Sequence, residues 1–471
     1  MRALALAAAL AAALPGAAAA QERPSDEEIF GAPAAPEPPK PEASPGPGAA
    51  GRPPPRVREA AEAEQPPPPA RPDPLAIGGQ FYLRSVLLAQ EGAPPSRWAL
   101  SAPSIVDGYL DARPNERVRG FVLARTFFDP TVDPNAPGPY GTPPRPQTQV
   151  VLDQLWINFD VEHAAFVTAG RQHVKWGVAR FWNPTDYLHS VRRDPLAVFD
   201  ARTGTSMVKV HVPWERRGWN FYGVALLEGD EAASQVGKVG GAGRAEIVLG
   251  SAELGLDAIA RKGTDPRLGV DLSAGVGEVD LYAEAALRWG SLTPRYRLDV
   301  PGQLASFEAY QPGGFRPAVT AGASWSYKYS DQDTFSIGVE YAFDDNGYGD
   351  PGLYPALLLN GAFTPFYLGR HYAGAWFLLP KPGSWNDTTI TLSTLGNLSD
   401  RSFVTRLDWQ VLVLTYLRVE AYAAAHYGDK RGEFRLGLDV PAQDLGRGLV
   451  TPRVAVGAQV LDAGLALRVA L

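Results

Sequence analysis

The sequence predicts an all-β fold, namely a transmembrane antiparallel β-barrel of about 18–20 strands that follows a disordered, proline-rich segment. Three observations indicate this fold. Apolar and polar residues alternate with a period of two after residue 75, the alternating segments are about 9–13 residues long, and short connections alternate with long ones. Tilted strands of this length cross a bilayer, whereas strands of soluble β-sandwiches are often only about 5–6 residues long.

The first residues predict export. Met1 and Arg2 precede a short run of Ala and Leu, and small residues follow up to Ala20, which is typical of a secretory signal peptide over residues 1–20. Residues 21–75 are rich in Pro and Ala and poor in large apolar residues, so we expect a disordered periplasmic linker there. Such a linker would contact a periplasmic protein or peptidoglycan, or have no partner. We expect the outer-membrane β-barrel to occupy residues 76–471.

The segment EVDLYAEAALRW shows the alternation most clearly. Glu278, Asp280 and Glu284 fall on one face of a strand, and Val279 and Leu281 fall on the other. A soluble sandwich would bury the apolar face between two sheets, whereas a membrane barrel turns it to lipid. Aromatic residues at strand ends favour the barrel, because they gather at membrane interfaces. The residues concerned are Trp98, Trp176, Trp289, Tyr341 and Tyr427.

The expected connections are of two kinds. Outer-membrane barrels have short periplasmic turns and long outer loops. Short connections are predicted at 113–116, 161–164, 214–218, 276–277 and 330–333. Long connections are predicted at 128–148, 177–202, 229–243, 290–315 and 344–365.

Basic residues occupy the polar face of three early segments. Arg171, His173 and Lys175 alternate with Val174 and Trp176, and we expect these three basic side chains to point into the lumen. The same argument applies on neighbouring segments to Arg117, Arg119, Arg125, Lys209 and His211.

Acidic residues occupy the polar face of later segments, roughly opposite in a closed barrel. They are Glu253, Asp257, Asp271, Glu278, Asp280, Glu284 and Glu340. Two interpretations stay open. In the first, a basic wall faces an acidic wall and creates a transverse field across a water-filled pore. In the second, these charges pair with neighbours or face a folded loop, and they only make the lumen hydrophilic.

The long connection 177–202 is the expected plug or constriction. It carries apolar residues such as Phe181, Trp182 and Tyr187, which would be buried if the loop folded into the barrel. Its sequence Asn-Pro-Thr-Asp at 183–186 is typical of a turn. The candidate constriction residues are Arg180, Asn183, Asp186, Arg192, Arg193 and Asp194.

The strand GRQHVKWG, followed by NPTD, resembles a motif of porin-like outer-membrane barrels of Gram-negative bacteria. Those barrels carry a Gly-Arg-Gln strand, then Trp-Gly, then an Asn-Pro-x-Asp turn, and the motif here spans Gly170–Asp186. The resemblance implies passive transport across the outer membrane. The chain departs from many such barrels because it ends in Leu471 and not in an aromatic residue.

Sequence signals of other chemistry are weak. The chain has no Cys, its six His show no metal-binding spacing such as HExxH, and no GxSxG motif occurs. The glycine-rich stretch 237–243 is interpreted as a flexible loop, and DDNGYGD at 344–350 as a polar surface loop, with Ca²⁺ binding as the lesser alternative. We therefore predict no cofactor, no metal site and no enzymatic activity. The net charge of −7 argues against a nucleic-acid partner.

The predicted function is a porin-like channel in the outer membrane through which small hydrophilic solutes or ions diffuse passively. Two alternatives remain. One is a scaffold or export barrel that docks a periplasmic partner through residues 21–75, and the other is a hydrolase embedded in the barrel.

Overall fold

The computed structural model contains a closed barrel of eighteen antiparallel strands. It describes residues 74–136, 144–189, 191–227, 239–299, 307–330, 333–440, 443–444, 450–451 and 453–471. The expected signal peptide and most of the expected proline-rich linker lie outside the described residues. Among the described residues, no helix has the length and apolar character to cross a membrane.

The strands follow one another around the barrel in chain order. They are β1 (Leu75–Gln90), β2 (Ser104–Asn115), β3 (Val118–Phe128), β4 (Thr148–Val161), β5 (Ala165–Gln172), β6 (Thr205–Trp214), β7 (Trp219–Leu226), β8 (Gly240–Leu249), β9 (Ala252–Arg261), β10 (Thr264–Val276), β11 (Val279–Leu287), β12 (Ala318–Lys328), β13 (Thr334–Asp344), β14 (His371–Pro380), β15 (Thr388–Asn397), β16 (Ser402–Leu414), β17 (Leu417–Gly428) and β18 (Gln459–Ala470).

The barrel closes because β1 pairs with both β2 and β18. Gln80 is the partner of Asp107 on one side and of Ala470 on the other. Closure leaves no unpaired sheet edge, which a bilayer would not tolerate. The expected all-β barrel of about 18–20 strands is confirmed.

The connections between strands differ at the two rims. One rim has only short turns, such as 116–117, 250–251 and 415–416, and we call it the short-turn rim. The other rim carries the long segments 91–103, 129–147, 173–204, 227–239, 288–317, 345–370 and 429–458, and we call it the long-loop rim. Only β9–β10 and β15–β16 are joined there by short links.

The connections between strands contain the remaining regular elements of the described residues. A helix α1 spans Tyr354–Leu359, and short 3₁₀ turns lie at Pro95–Arg97, Glu215–Arg217 and Pro351–Leu353. Short strands lie at Ala99–Ser101, Arg295–Leu298, Phe307–Tyr310, Leu438–Val440, Gln443–Asp444, Val450–Thr451 and Val454–Val456. The sequence EFRLGLDV alternates like a long strand, but only its end at Leu438–Val440 is a strand, because the turn before it buries both Glu433 and Phe434.

The outer face of the barrel is apolar. Ile77, Leu83, Val150 and Leu465 are among its exposed residues, as expected of side chains that meet lipid. Exposed aromatic residues lie at both rims: Trp214, Tyr327 and Tyr416 at the short-turn rim, and Trp289, Tyr341 and Tyr427 at the long-loop rim. Trp176, which we expected in this girdle, is instead buried inside the barrel, where it packs against Met207.

Candidate functional site

The candidate site is the barrel lumen together with the segment 173–204, which folds into it and which we call the inner loop. The register identifies the lumen face, because paired residues on neighbouring antiparallel strands point to the same side. Met207 on β6 is fully buried beneath the inner loop, so Lys209 and His211, at alternate positions of the same strand, also face the lumen. This placement agrees with the direction expected for both residues.

Arginines of the expected basic wall are paired with aspartates on the same wall. Arg125 on β3 makes a bidentate bond to Asp107 on β2, at 2.8 and 3.0 Å, and lies 3.4 Å from Asp153 on β4. Arg119 binds Asp111 at 2.8 Å. Arg117 lies in the exposed turn before β3, where its backbone N–H donates to Asn115. The positive charge of this wall is therefore largely balanced locally.

Arg171 does not face the lumen. Its partners are Leu155 on β4 and Ser206 on β6, and Leu155 is an exposed residue of the outer face. Its guanidinium donates to the carbonyl of Leu152 at 3.1 Å. Phe166, on the same strand, is the partner of His211 and faces inward. The expectation for Arg171 was wrong, because β5 ends at Gln172 and the alternation cannot be continued back from His173 and Lys175.

His173 and Lys175 lie beyond the end of β5, in the inner loop. His173 contacts Asp153, with 2.9 Å between Nε2 and Oδ1. A register shift between β3 and β4 at this point makes a β-bulge, and the bulge turns Asp153 toward the lumen. Lys175 borders a cavity that is also lined by Arg192, Arg193 and Arg202.

The acidic residues of the later strands, apart from Glu278, fall into three groups. Asp257 and Asp271 are buried, and Arg244 on β8 binds both of them, at 3.3 and 2.6 Å. Glu253 and Asp280 lie on lumen-side positions toward the short-turn rim. Glu278 lies in the turn between β10 and β11, where it accepts a hydrogen bond from the outer-face Trp325. It is therefore a rim residue and not part of the lumen wall.

Glu284 and Glu340 form the third group, and they hold the inner loop against the wall. Glu284 on β11 accepts hydrogen bonds from the backbone N–H groups of Val178 and Ala179, both at 2.5 Å, and from the hydroxyl of Thr185 at 2.8 Å. Glu284 is only 1% exposed. Gly177, just before these donors, has φ +91°, and an added Cβ would lie 2.6 Å from the Glu284 carboxylate. Glycine is therefore required where the loop meets this wall.

Glu340 on β13 receives the next three backbone N–H groups of the inner loop. Arg180, Phe181 and Trp182 donate to its carboxylate at 2.8, 3.0 and 2.9 Å. The hydroxyl of Tyr282 on β11 donates to the same group at 2.8 Å. Because hydrogen bonds to ionised groups are stronger than neutral ones, this contact is a specific anchor for the loop.

Apolar packing completes the docking of the inner loop. Trp176, Tyr187 and Leu188 pack against residues of β6, β7, β9, β11 and β12. Phe181 and Trp182 pack against residues of β13 to β17. The expectation that this segment would fold inward to bury its aromatic residues agrees with these contacts.

The candidate constriction residues lie together on the inner loop but make different contacts. Arg180 stacks on Trp376 of β14, with 4.2 Å from its Cζ to the ring centroid. Asp186 binds Arg202 at 2.9 Å. The other four residues contact the loop itself or its neighbour: the Asn183 carbonyl accepts from Arg192 at 3.4 Å, Tyr367 donates to the carbonyl of Arg193 at 2.8 Å, and Asp194 accepts from the N–H of Leu196 at 2.9 Å.

Several groups of the inner loop have perturbed pKa values, among them Asp200 and His189. Burial alone would raise the pKa of Asp200, but hydrogen bonds and charge from Arg202 lower it to about 2. Burial lowers the pKa of His189, whose ring lies 5.7 Å from that of His173. Asp200 is therefore ionised and paired at neutral pH.

The carboxylates of DDNGYGD have protein partners. Arg288 binds Asp344 at 2.5 Å, Arg316 binds Asp345 at 2.8 Å, and Asp350 accepts from the N–H of Gly352. In the described parts of the chain, no group of three or more His, Cys, Asp or Glu side chains is arranged to hold a metal ion. This segment therefore lies at the long-loop rim, where its aspartates form ion pairs with arginines.

Several residues of the site were missed by sequence reasoning. Arg244 neutralises two of the expected acidic residues, and Asp107, Asp111 and Asp153 neutralise expected basic ones. All are charged residues inside alternating segments, and Asp107 and Asp111 show the period of two. The alternation could have identified those two, whereas the bulge at Asp153 leaves no sequence signal.

Comparisons with known proteins reveal a common fold. No protein-family model and no curated protein sequence matches the chain. Among solved structures, Pseudomonas aeruginosa OccK8 (OprE) matches with a TM-score of 0.50 at 9% identity, over 84% of this chain and 98% of that chain. P. aeruginosa OccK1 (OpdK) has a TM-score of 0.47 at 11% identity, over 84% and 98%. A mutant porin of Rhodopseudomonas blastica has 0.40 at 8%, over 84% and 100%. The chain therefore shares the barrel fold of OccK8.

Proposed function

We propose that this chain is a channel of the Gram-negative outer membrane through which small hydrophilic solutes or ions diffuse passively. The observation that carries the proposal is a closed barrel whose outside is apolar and whose inside is charged, with a loop docked across the inside. An apolar outside matches lipid, and a polar inside matches a water-filled path. The fold shared with OccK8 supports the same conclusion.

The inner loop is proposed to set the width of this path. Glu284 and Glu340 fix it to one side of the barrel, while Phe199 near its other end packs edge to face against Tyr82 of β1, with 5.1 Å between ring centroids. A loop anchored at both sides cannot leave the whole cross-section open. Solutes must therefore pass between its charged residues and the wall.

The charge of the inner loop supports a weak preference for anions. Lys175, Arg192, Arg193 and Arg202 border one cavity with Asp186, and Asp200 is bound to Arg202. Four cations against two carboxylates leave an excess of positive charge. The two charged walls expected from the sequence contribute less to selectivity, because Arg119, Arg125 and Arg244 are each bound to carboxylates of their own wall.

Planar-bilayer recording of the purified chain tests the proposal. We expect discrete conductance steps and a reversal potential under a KCl gradient that indicates a small preference for Cl⁻. The protein-free detergent at the same dilution is the control. Insertion into the bilayer without conductance steps would contradict the channel function.

The amino-terminal region adds two proposals. Residues 1–20 are proposed to direct export, and residues 21–75 to form a periplasmic linker, which places the short-turn rim on the periplasmic side. Recovery of the mature chain in the outer-membrane fraction, beginning near Gln21, is the expected result of cell fractionation and amino-terminal sequencing. A partner docked by residues 21–75 stays a prediction.

A further inference from the structure

Six aromatic rings line the lumen on six successive strands, β2 to β7. Tyr109, Phe121 and Trp156 form one stack, with ring centroids 5.9 and 5.4 Å apart and interplanar angles of 23° and 25°. A second stack follows on the next three strands, with centroids 5.8 and 4.6 Å apart and angles of 30° and 14°. Its members are Phe166, His211 and Tyr222. We call these six residues the aromatic band.

The register places the aromatic band on the lumen face. Phe121 is the partner of both Asp111 and Trp156, and Asp111 shares the face of the buried ion pair between Asp107 and Arg125. In the second stack, His211 shares the face of Met207, which lies beneath the inner loop. The rings therefore do not belong to the lipid-facing surface or to its girdles.

Each ring of the aromatic band is only partly buried. Aromatic rings that stay partly exposed on the water-filled side of a barrel mark a candidate binding surface, because a ligand that covers them removes apolar area from water. The rings of Phe121 and Trp156 contribute large apolar area in fixed positions, because each is held by a neighbouring ring and by the strand pairing.

Hydrogen-bonding side chains accompany the aromatic band at each step. Gln154 accepts from the indole N–H of Trp156 at 3.0 Å, and Arg119 lies 5.4 Å from the centroid of the same ring. Between the two stacks, Asn158 donates to the hydroxyl of Thr168 at 2.8 Å.

Hydrogen-bonding side chains also lie beside the second stack. Asn220 contacts Nε2 of His211 at 2.9 Å, and Tyr222 donates to Glu246 at 3.0 Å. Donors and acceptors are thus spread along the whole strip and are not gathered at one point.

We propose that the aromatic band is a binding track for carbohydrates. Pyranose rings lie against the aromatic rings, while their hydroxyls form hydrogen bonds with the polar side chains beside the band. A pyranose ring combines C–H faces with hydroxyl groups around its edge, and it therefore matches a strip that is apolar along its length and polar at its sides. A flat aromatic solute with one polar group would displace water and leave most of the polar side chains beside the band without hydrogen-bond partners. The inference rests on the proposed channel function, because a solute reaches the band only through the lumen.

Calorimetric titration of the full chain in detergent with maltotriose and cellotriose tests the proposal. We expect saturable binding of at least one trisaccharide, and a dissociation constant about tenfold higher after Trp156→Ala, since an aromatic contact contributes about 0.5–1.5 kcal/mol beyond its buried area. Phe121→Leu keeps an apolar side chain at its position and should also weaken binding if the ring itself matters. The matched control is Phe159→Ala, which changes an outer-face residue of the same strand and should leave binding unchanged.

The outcomes separate this proposal from the channel function. Ion conductance without binding of either trisaccharide would overturn the carbohydrate track and leave the channel in place. Trisaccharide binding in a chain that conducts no ions would do the reverse. Binding of benzoate with no binding of the trisaccharides, or trisaccharide binding that Trp156→Ala and Phe121→Leu leave unchanged, would also overturn the track.

Discussion

Replacing Glu340 with glutamine should release the inner loop from the wall of the barrel. The Glu340 carboxylate accepts hydrogen bonds from the backbone N–H groups of Arg180, Phe181 and Trp182 and from the hydroxyl of Tyr282. Both of its oxygens are used as acceptors. Glutamine has one acceptor oxygen and one NH₂ group. With the NH₂ on the side of Arg180 and Tyr282, the Tyr282 hydroxyl can accept from it, but the Arg180 N–H would face a donor, and the other bonds would lose the charge of the carboxylate.

The magnitude follows from the number of bonds lost. A hydrogen bond to a charged group contributes about 1.5–3 kcal/mol and a neutral one less, so the loss of one bond and the weakening of the other three by about 0.5–1 kcal/mol each correspond to about 3–6 kcal/mol of docking free energy. The equilibrium constant for undocking should therefore rise by about 10²–10⁴-fold. Apolar packing of Phe181 and Trp182 is retained, so we expect the loop to open more often and not to leave the lumen permanently.

Two measurements follow the opening of the loop. Single-channel recordings of Glu340→Gln should show additional, larger conductance levels. The chain has no cysteine, so Ala179→Cys, which replaces a side chain only 1% exposed, can be labelled with a maleimide to report undocking. Labelling should be at least about 100-fold faster when Glu340→Gln is combined with it.

The matched control for this experiment is Glu278→Gln, because Glu278 bonds an outer-face tryptophan at the short-turn rim. If Glu340→Gln and Glu278→Gln gave the same labelling rate and the same conductance levels, the hydrogen bonds of Glu340 would not hold the loop.

Three further predictions concern charge, backbone and pH. Lys175→Glu should shift the reversal potential under a KCl gradient toward cation preference, whereas Arg171→Glu on the outer face should leave it unchanged; equal shifts would contradict the register of β5. Gly177→Ala should speed undocking, since a Cβ at φ +91° costs about 1–2 kcal/mol and meets the carboxylate of Glu284; an unchanged maleimide labelling rate would refute this. Burial raises the pKa of Glu433 in segment 429–458 from 4.5 to about 8, so the stability that its bound proton gives is complete below pH 4.5 and is lost as the pH rises through 8. Thermal unfolding should show this loss in the parent chain and a weaker pH dependence in Glu433→Gln.

The alternation of apolar and polar residues with a period of two predicted most of the fold. It depends only on the geometry of a strand, in which successive side chains point to opposite faces, and it therefore survives at any sequence divergence. It failed where a segment alternates without forming a strand. In EFRLGLDV, Glu433 is held by Tyr372 and Asn397, at 2.6 and 2.8 Å, and these tertiary bonds determine the backbone there. Local pattern cannot reveal partners that lie 36 and 61 residues away.

The sequence identifies candidate residues of the site but does not reveal which groups bind one another. The sequence predicted Glu284 and Glu340 as acidic residues of the inner wall, and it indicated a loop that folds inward. It could not reveal that these carboxylates bind backbone N–H groups of that loop, because every residue offers such a group and the separation from Val178 to Glu284 is 106 residues. The orientation of Arg171 depended on where β5 ends, and strand ends are less regular than strand interiors.

The charge that a permeating ion meets cannot be obtained by adding the formal charges of inward-facing residues. Arg125 lies between Asp107 and Asp153 and has almost no exposed surface, and Arg244 is equally enclosed by Asp257 and Asp271. Opposite charges in contact have a field that falls off within a few ångströms, and salt screens the remainder over about 8–10 Å. Such pairs stiffen the wall but have little effect on an ion in the middle of the lumen. We therefore propose that selectivity comes from charges carried inward by the inner loop, and that the docking of this loop controls both the width and the electrostatics of the path.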